Sequence, residues 1–420
     1  MAADFVRLTV TDDLQRSRLT VFFRLLLAIP HFVWFWLWTV AAIVAAVINW
    51  FAALITGRAP DALFRFLTAY VRYWTHLFAY VFLAANPYPG FTGAPGYPVD
   101  VEFGESERQR RVVTGFRIFL AIPAFLLAVA FEGSGFGAWY RGDETTVAWS
   151  GGTLLTVAFL GWFVCVALGR MPPGFRDLQA YGLRFLAQMA AYALVLTERY
   201  PNVDPAATPA SGPDHPVRLT VEDDLHRSRL TVFFRLFLAL PHFVWLLLWG
   251  IAAFLAVLVA WFVALIVGRP PAALHRFISS WIRYSTHVYA YASLTANPFP
   301  GFTGTPGTYP VDLELPPPES QRRLVTLFRL FLALPAFAVS SAVSGLLIIA
   351  GFLGWFASLA LGRMPRSLRE AQAYALRYSA QVSAYVWLVT ERYPFSGPAL
   401  GTPEPPSPEP PPPDETPVLV

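Results

Sequence analysis

RLTVTDDLQRSRLTVFFRLLLAIPHFVW, residues 7–34, returns as RLTVEDDLHRSRLTVFFRLFLALPHFVW at residues 218–245. The displacement of 211 residues holds downstream through Gly57 and Gly268, Arg72 and Arg283, His76 and His287, and Asn86 and Asn297. Repetition at a fixed period marks an architecture assembled from copies of one supersecondary unit.

Each half is itself double. Tyr97-Pro98-Val99-Asp100 opens a second unit, His215-Pro216-Val217 a third and Tyr309-Pro310-Val311-Asp312 a fourth. Arg24, Arg117, Arg235 and Arg329 then recur, followed by Pro30, Pro123, Pro241 and Pro335. Gly57-Arg58, Gly169-Arg170, Gly268-Arg269 and Gly362-Arg363 come next. The unit is about 94 residues long, with 19 additional residues between Phe131 and Gly151 in the second. The expected divisions are 1–96, 97–203 with a polar insertion at 132–151, 204–308 after a short linker, 309–396, and a tail at 397–420.

Composition decides the solvent. Hydrophobic residues make up 55% of the 420 and charged residues only 14%, with mean hydropathy +0.48. A bilayer accepts that much apolar surface, whereas water does not. Every basic side chain is arginine. The net charge is +4, and without Glu404, Glu409, Asp414 and Glu415 of the last twenty residues the body stands at +8. Such a balance favours the anionic cytoplasmic leaflet. The arginines are dispersed rather than gathered in one patch, which argues against nucleic acid as partner. The single cysteine, Cys165, excludes an internal disulfide and a cysteine-based metal site. The polar, acidic stretch from Met1 to Asp13 leads us to expect no cleavable signal peptide.

Within a unit, alternation at Val6, Leu8 and Val10, or at Val217, Leu219 and Val221, predicts a half-buried strand, and four such strands could form a small sheet. The apolar run Leu19–Thr56 would measure roughly 57 Å as one helix, against a hydrocarbon core of about 30 Å. The polar insertion GSGFGAWYRGDETTVAWSGG of the second unit maps back to Trp38-Thr39 and to Gly250. We therefore expect a transmembrane hairpin in each unit, Leu19–Trp38 and Thr39–Thr56 in the first. A third helix, Asp61–Ala84, gathers Arg65, Thr68, Arg72 and His76 on one face and aromatic residues opposite. That pattern predicts an amphipathic helix in the membrane interface; a third span, burying Arg72, is the alternative. The expected fold class is a mainly α, polytopic membrane protein. It has four repeats of strand, transmembrane helical hairpin and interfacial amphipathic helix, and about eight transmembrane helices. Arginines at the Gly-Arg turns and third helices would then share the cytoplasmic face with both termini, placing the protein in the plasma membrane. The tail EPPSPEPPPPDE predicts a disordered or polyproline II segment.

The pattern R-x-x-x-F-F-R-x-x-x-A-[IL]-P-H (Arg18–His31), followed by an apolar run ending in Gly-Arg and a Tyr/Arg helix ending in Tyr-Pro, resembles the bacterial membrane family catalogued as domain of unknown function 4389 (DUF4389), frequent in actinobacteria. The first and third units fit best; the second and fourth carry Pro123-Ala124 and Pro335-Ala336 in place of Pro-His. The resemblance implies architecture and no activity.

Candidate binding residues follow from recurrence. Arg24, Arg117, Arg235 and Arg329 lie one to two turns inside the first apolar run. They read as an anion or lipid-headgroup site, against snorkelling or pairing with a carbonyl or an Asp12/Asp13-type acid. His31 and His242, with His76 and His287, recur only in the odd units. They suit haem or metal ligation, against interface hydrogen bonding with no carboxylate partner in view. Arg72 and Arg283 complete the set. No nucleotide-, zinc- or serine-hydrolase motif with usable context is present, so no catalytic residue, metal or cofactor is assigned. The expected function is a non-enzymatic scaffold or accessory protein in the bilayer, binding anionic lipid headgroups or membrane-protein partners through a basic face. The alternatives are a small-solute transporter or channel and a haem- or metal-binding redox protein.

Overall fold

The computed structural model describes residues 5–141, 144–208 and 215–398. Side chains of 134–151 and the tail beyond Pro398 lie outside the described set, and with them the expectation of a disordered tail. The chain is mainly helical with few strands.

The first segment runs β1 (Val6–Val10), α1 (Arg18–Phe22), α2 (Arg24–Leu27), α3 (Ile29–Thr56) and α4 (Asp61–Val81). The second runs β2 (Val99–Phe103), α5 (Arg111–Gly115), α6 (Arg117–Glu132), the ribbon β3 (Gly133–Arg141) and β4 (Glu144–Gly151), α7 (Thr153–Leu168) and α8 (Pro173–Ala193). The third comprises β5 (Arg218–Val221), α9 (Arg229–Val267) and α10 (Ala272–Ala292); the fourth comprises β6 (Val311–Glu314), α11 (Arg323–Leu361) and α12 (Arg366–Val386).

The expected transmembrane hairpins are not there. Helix α3 passes unbroken through Trp38-Thr39, and α9 runs 39 residues straight through Gly250. In the second segment α7 resumes the helix that α6 leaves. Gly152 N–H donates to Glu132 O at 3.3 Å and Thr153 Oγ1 to Ala130 O at 2.9 Å. The insertion is thus an antiparallel ribbon extruded from a helix, not a loop between two antiparallel ones. In the first segment the hydrogen bonds Leu27 N–Phe23 O, Ala28 N–Arg24 O and Phe32 N–Ala28 O carry the ladder across the bends between α1, α2 and α3. Pro123, Pro241 and Pro335 sit inside helices and Pro30 in the first turn of α3.

Each long helix ends at a glycine with left-handed backbone: Gly57, Gly169, Gly268 and Gly362 have φ between 70° and 85°. A side chain there would be strained, and a proline within four residues starts the next helix. Chain direction reverses, and α4, α8, α10 and α12 fold back along the long helices.

Adjacent long helices are antiparallel. Trp50 Nε1 donates to Thr114 O (2.8 Å) while Trp162 Nε1 donates to Val21 O (3.1 Å). In the other half, Trp261 reaches Thr326 O (2.9 Å) and Trp355 reaches Val232 O (3.0 Å). The backbone repeats the exchange: Arg16 N–Gly169 O with Gln109 N–Gly57 O, and Arg227 N–Gly362 O with Gln321 N–Gly268 O. Each half is therefore a pseudo-dimer with a local dyad. The strands obey the same dyad, β1 pairing antiparallel with β2 about Leu8↔Val101 and β5 with β6 about Leu219↔Leu313. Two separate pairs replace the single four-stranded sheet.

Three layers result. The long helices turn a narrow stripe inward, in α9 Val232, Arg235, Ala239, His242, Ala253 and Ala260. Small residues there let helices approach closely. The rest of their surface is apolar and exposed, as at Leu230, Phe237, Leu247, Phe254, Phe262 and Ile266. Beneath lie α4, α8, α10 and α12. They are packed between the long helices and the strands, and most of α8 and α12 is buried by polypeptide, including Arg184, Gln188, Arg377 and Gln381. The strand pairs form the third layer, held by Gln188 Nε2–Val6 O (3.2 Å), Arg72 Nε–Val101 O (3.0 Å), Gln381 Nε2–Val217 O (3.1 Å) and Arg283 Nε–Leu313 O (3.2 Å). The second and fourth segments meet at the centre, where Thr153 reaches Ala342 O and Tyr181 packs edge-on against Tyr374.

Among the described residues three helices, Ile29–Thr56, Arg229–Val267 and Arg323–Leu361, are long and apolar enough to cross a membrane by length and composition.

Candidate functional site

The four recurrent arginines do one job. Helices α4, α8, α10 and α12 each end at a residue with left-handed backbone, and it is never glycine: Leu83, Val195, Leu294 and Leu388 have φ of 67°, 61°, 69° and 66°. The turn is strained for a branched side chain, and it leaves the last helical carbonyls aimed into protein. Arg24 Nη1 donates to Tyr80 O (2.6 Å) and Ala85 O (3.0 Å). Arg117 reaches Tyr192 O (2.9 Å) and Thr197 O (2.5 Å), Arg235 reaches Tyr291 O (2.7 Å) and Ala296 O (2.8 Å), and Arg329 reaches Tyr385 O (2.5 Å) and Thr390 O (3.0 Å). Each guanidinium also lies over the ring of that tyrosine, 4.3, 4.4, 4.4 and 4.8 Å from the centroid. A cation at the negative end of a helix dipole, stacked on an aromatic face, is favoured on both counts. These arginines are buried C-terminal locks of the inner helices, and Asp12 and Asp13 are not their partners.

A second brace differs between odd and even segments. Arg16 donates to Leu83 O and Ala84 O while Asp12 grips its two terminal nitrogens at 3.1 and 2.8 Å. Arg227 and Asp223 repeat this at Leu294 and Thr295. In the even segments Gln109 donates to Val195 O (2.8 Å) and accepts from Arg117 (2.6 Å), and Gln321 donates to Leu388 O (2.8 Å) and accepts from Arg329 (2.8 Å). Asn49, with no counterpart in the third segment, joins the long helix of the first segment to the end of α8 through Leu194 O at 2.9 Å.

The histidines fall into two separate clusters. His31 Nδ1 lies 2.9 Å from the Tyr73 hydroxyl and its ring stacks on Phe91 at 4.1 Å; His242 pairs with Tyr284 at 2.7 Å and stacks on Phe302 at 4.3 Å. His76 instead lies 2.8 Å from Asp100 Oδ1 and stacks on Tyr97, and His287 lies 3.0 Å from Asp312 Oδ1. So His31 and His76 are not brought together as a ligand pair. Among the described residues no group of three or more His, Cys, Asp or Glu side chains could hold a metal ion.

Asp100 and Asp312 were missed as partners. They sit on β2 and β6, under the inner helices, and their landmark was the Val-Asp step after each Tyr-Pro. Arg72 and Arg283 stand 3.5 and 3.3 Å from these carboxylates. Burial pushes both carboxyls up. Hydrogen bonds from His76 and from the Gly96 and Val101 amides, and from His287, Gly307 and Leu313 in the other half, outweigh that and hold both below the usual aspartate value. Arg, His and Asp here fasten a strand pair to an inner helix.

Exposed arginines stand at the ends of the long helices, as they do on the strands at Arg7 and on the inner helices at Arg65 and Arg276. Arg18 lies beside Gly169, Arg58 Nη2 donates to Ser106 O, Arg229 Nη2 to Ala360 O and Arg323 Nη2 to Ile266 O, all in exposed positions.

A family model described as Domain of unknown function (DUF4389) matches residues 18–92, 229–303 and 323–396. No curated protein and no solved structure matches the chain.

Proposed function

This chain belongs to the DUF4389 family, the matched stretches covering more than half of it, and from that premise we propose that it is a non-enzymatic membrane scaffold that gathers anionic lipid headgroups at the arginine-bearing ends of its long helices. One observation carries the reading. The recurrent interior arginines and histidines are engaged by the chain's own carbonyls, carboxylates and phenols. The exposed arginines, in contrast, flank a continuous exposed apolar surface.

We further read the architecture as four units, although the family model matches three stretches. Supporting that reading, Arg117 locks α8 as Arg24, Arg235 and Arg329 lock their own inner helices. Partner proteins would meet the strand-bearing side, and the membrane concerned would be the plasma membrane. Guanidinium groups recognise phosphate through paired donors, and each basic residue near an anionic surface contributes about 1 kcal/mol.

The test is the lipid that co-purifies. Native mass spectrometry of protein extracted in mild detergent is expected to show retained anionic phospholipid. Replacing Arg18, Arg58, Arg229 and Arg323 with Gln is expected to remove most of it while the melting temperature stays within a few degrees. Equal retention of zwitterionic and anionic lipid by both proteins would end the proposal.

A further inference from the structure

Resting on that reading, we infer that the long helices do not cross the bilayer but lie flat in one leaflet, with both arginine-bearing ends and the strand layer on the same side of the membrane. Length is the first argument. Helices α9 and α11 have 39 residues each, roughly 58 Å at 1.5 Å per residue, nearly twice a hydrocarbon core of about 30 Å.

The dyad is the second and stronger argument. It relates Leu8 to Val101 in the strand pair and, through the reciprocal Trp50–Thr114 and Trp162–Val21 bonds, crosses the long-helix pair near Phe35 and Ala128. The strand pair therefore sits over the middle of the long helices, with an inner helix pair between. Were the long helices to cross the bilayer, this dyad would lie in the membrane plane and β1–β2 would lie at mid-depth. That pair has two strands only, hence two open edges, and its outward Arg7–Glu102 ion pair has side chains 71% and 53% exposed. Open sheet edges facing lipid do not occur inside the hydrocarbon layer.

The ribbon β3–β4 supplies a third argument. It leaves the helix at Glu132, one turn from the dyad, so a crossing helix would release a second open-edged ribbon at mid-depth. Laying the helices flat removes the length conflict and lifts β1–β2 from mid-depth. The exposed apolar arc enters the acyl chains and the end arginines meet phosphates of one leaflet, while the strands stay in water.

Single cysteines on a Cys165→Ala background test this in whole cells with a membrane-impermeant maleimide. Ser228→Cys and Ala272→Cys bracket α9, and Thr220→Cys marks β5; all three positions are exposed. Ser17→Cys and Asp61→Cys repeat the bracket on the first segment, so one poorly folded variant does not decide the matter. The expected result is that all five behave alike, protected before permeabilisation and labelled after it, or labelled throughout. A bracket with one end labelled before permeabilisation and the other only after it overturns the inference. Oriented circular dichroism of the protein in aligned bilayers is expected to show helix axes in the membrane plane; axes along the normal overturn it too. Fractionation runs in parallel: protein absent from the membrane fraction would refute the scaffold proposal itself, whereas opposite-side labelling of membrane-bound protein refutes only the flat arrangement.

Discussion

The first and second segments solve one problem with different chemistry. Both must hold an inner helix that stops at a strained, left-handed residue, Leu83 in one and Val195 in the other. Both use a stacked arginine for the last carbonyls. The first adds a buried ion pair, Arg16 with Asp12, whose side chains are 0% and 2% exposed; the second adds the neutral amide of Gln109. A buried cation needs its own anion and brings a desolvation penalty, whereas an amide satisfies a donor and an acceptor at once. The difference teaches that the fold requires the capping of the turn and is indifferent to the charge of the group that does it.

Removing the shared element should be the most damaging. Arg24→Ala and Arg117→Ala each strip two buried carbonyls of their donor and are expected to destabilise by about 3–5 kcal/mol, read as loss of monodisperse protein in a detergent thermal-stability assay. If the first is tolerated and the second is not, the two segments are not equivalent and the comparison breaks. Next come the braces. Asp12→Asn leaves Arg16 buried without its counter-charge and should cost about 2–4 kcal/mol, whereas Gln109→Ala should cost about 1–2 kcal/mol. Equal losses in the same assay would mean that the ion pair is no more consequential than the amide.

The smallest effect concerns acid. Asp100 and Asp312 titrate below an unfolded aspartate, about 3.9, because the bonds to His76 and His287 and to backbone amides outweigh burial. A depressed carboxyl stabilises the fold above the unfolded value, and that contribution is lost as pH falls through the folded one. Melting temperature should therefore drop as pH falls below about 4, the unfolded aspartate value, and the Asp100→Asn/Asp312→Asn pair should start lower and fall less steeply. An unchanged acid limb would show that these carboxylates do not set it.

Much of this was legible in the chain. The recurrence of Arg24, Arg117, Arg235 and Arg329 announces a shared need, and the recurring Gly57-Arg58 step announces a turn. The partners of the inner helices are not legible, because a helical wheel reports only that Arg72 and His76 share a face. It cannot tell water from the Val101 carbonyl and the Asp100 carboxylate, which arrive from a strand more than twenty residues away. The expected hairpin rests on a run too long for one crossing and on a polar insertion that mimics a chain reversal. Residues 133–151 leave the helix and return to it, and no pattern in them distinguishes that from a turn between two helices.

That return has a practical side. Since it is the Thr153 hydroxyl, not a backbone amide, that reaches Ala130 O across the insertion, the rod is held by its neighbours rather than by its own continuity. It can therefore carry cargo at its waist. A reporter domain grafted onto the ribbon should leave the rod whole and offer an attachment point away from the long-helix ends.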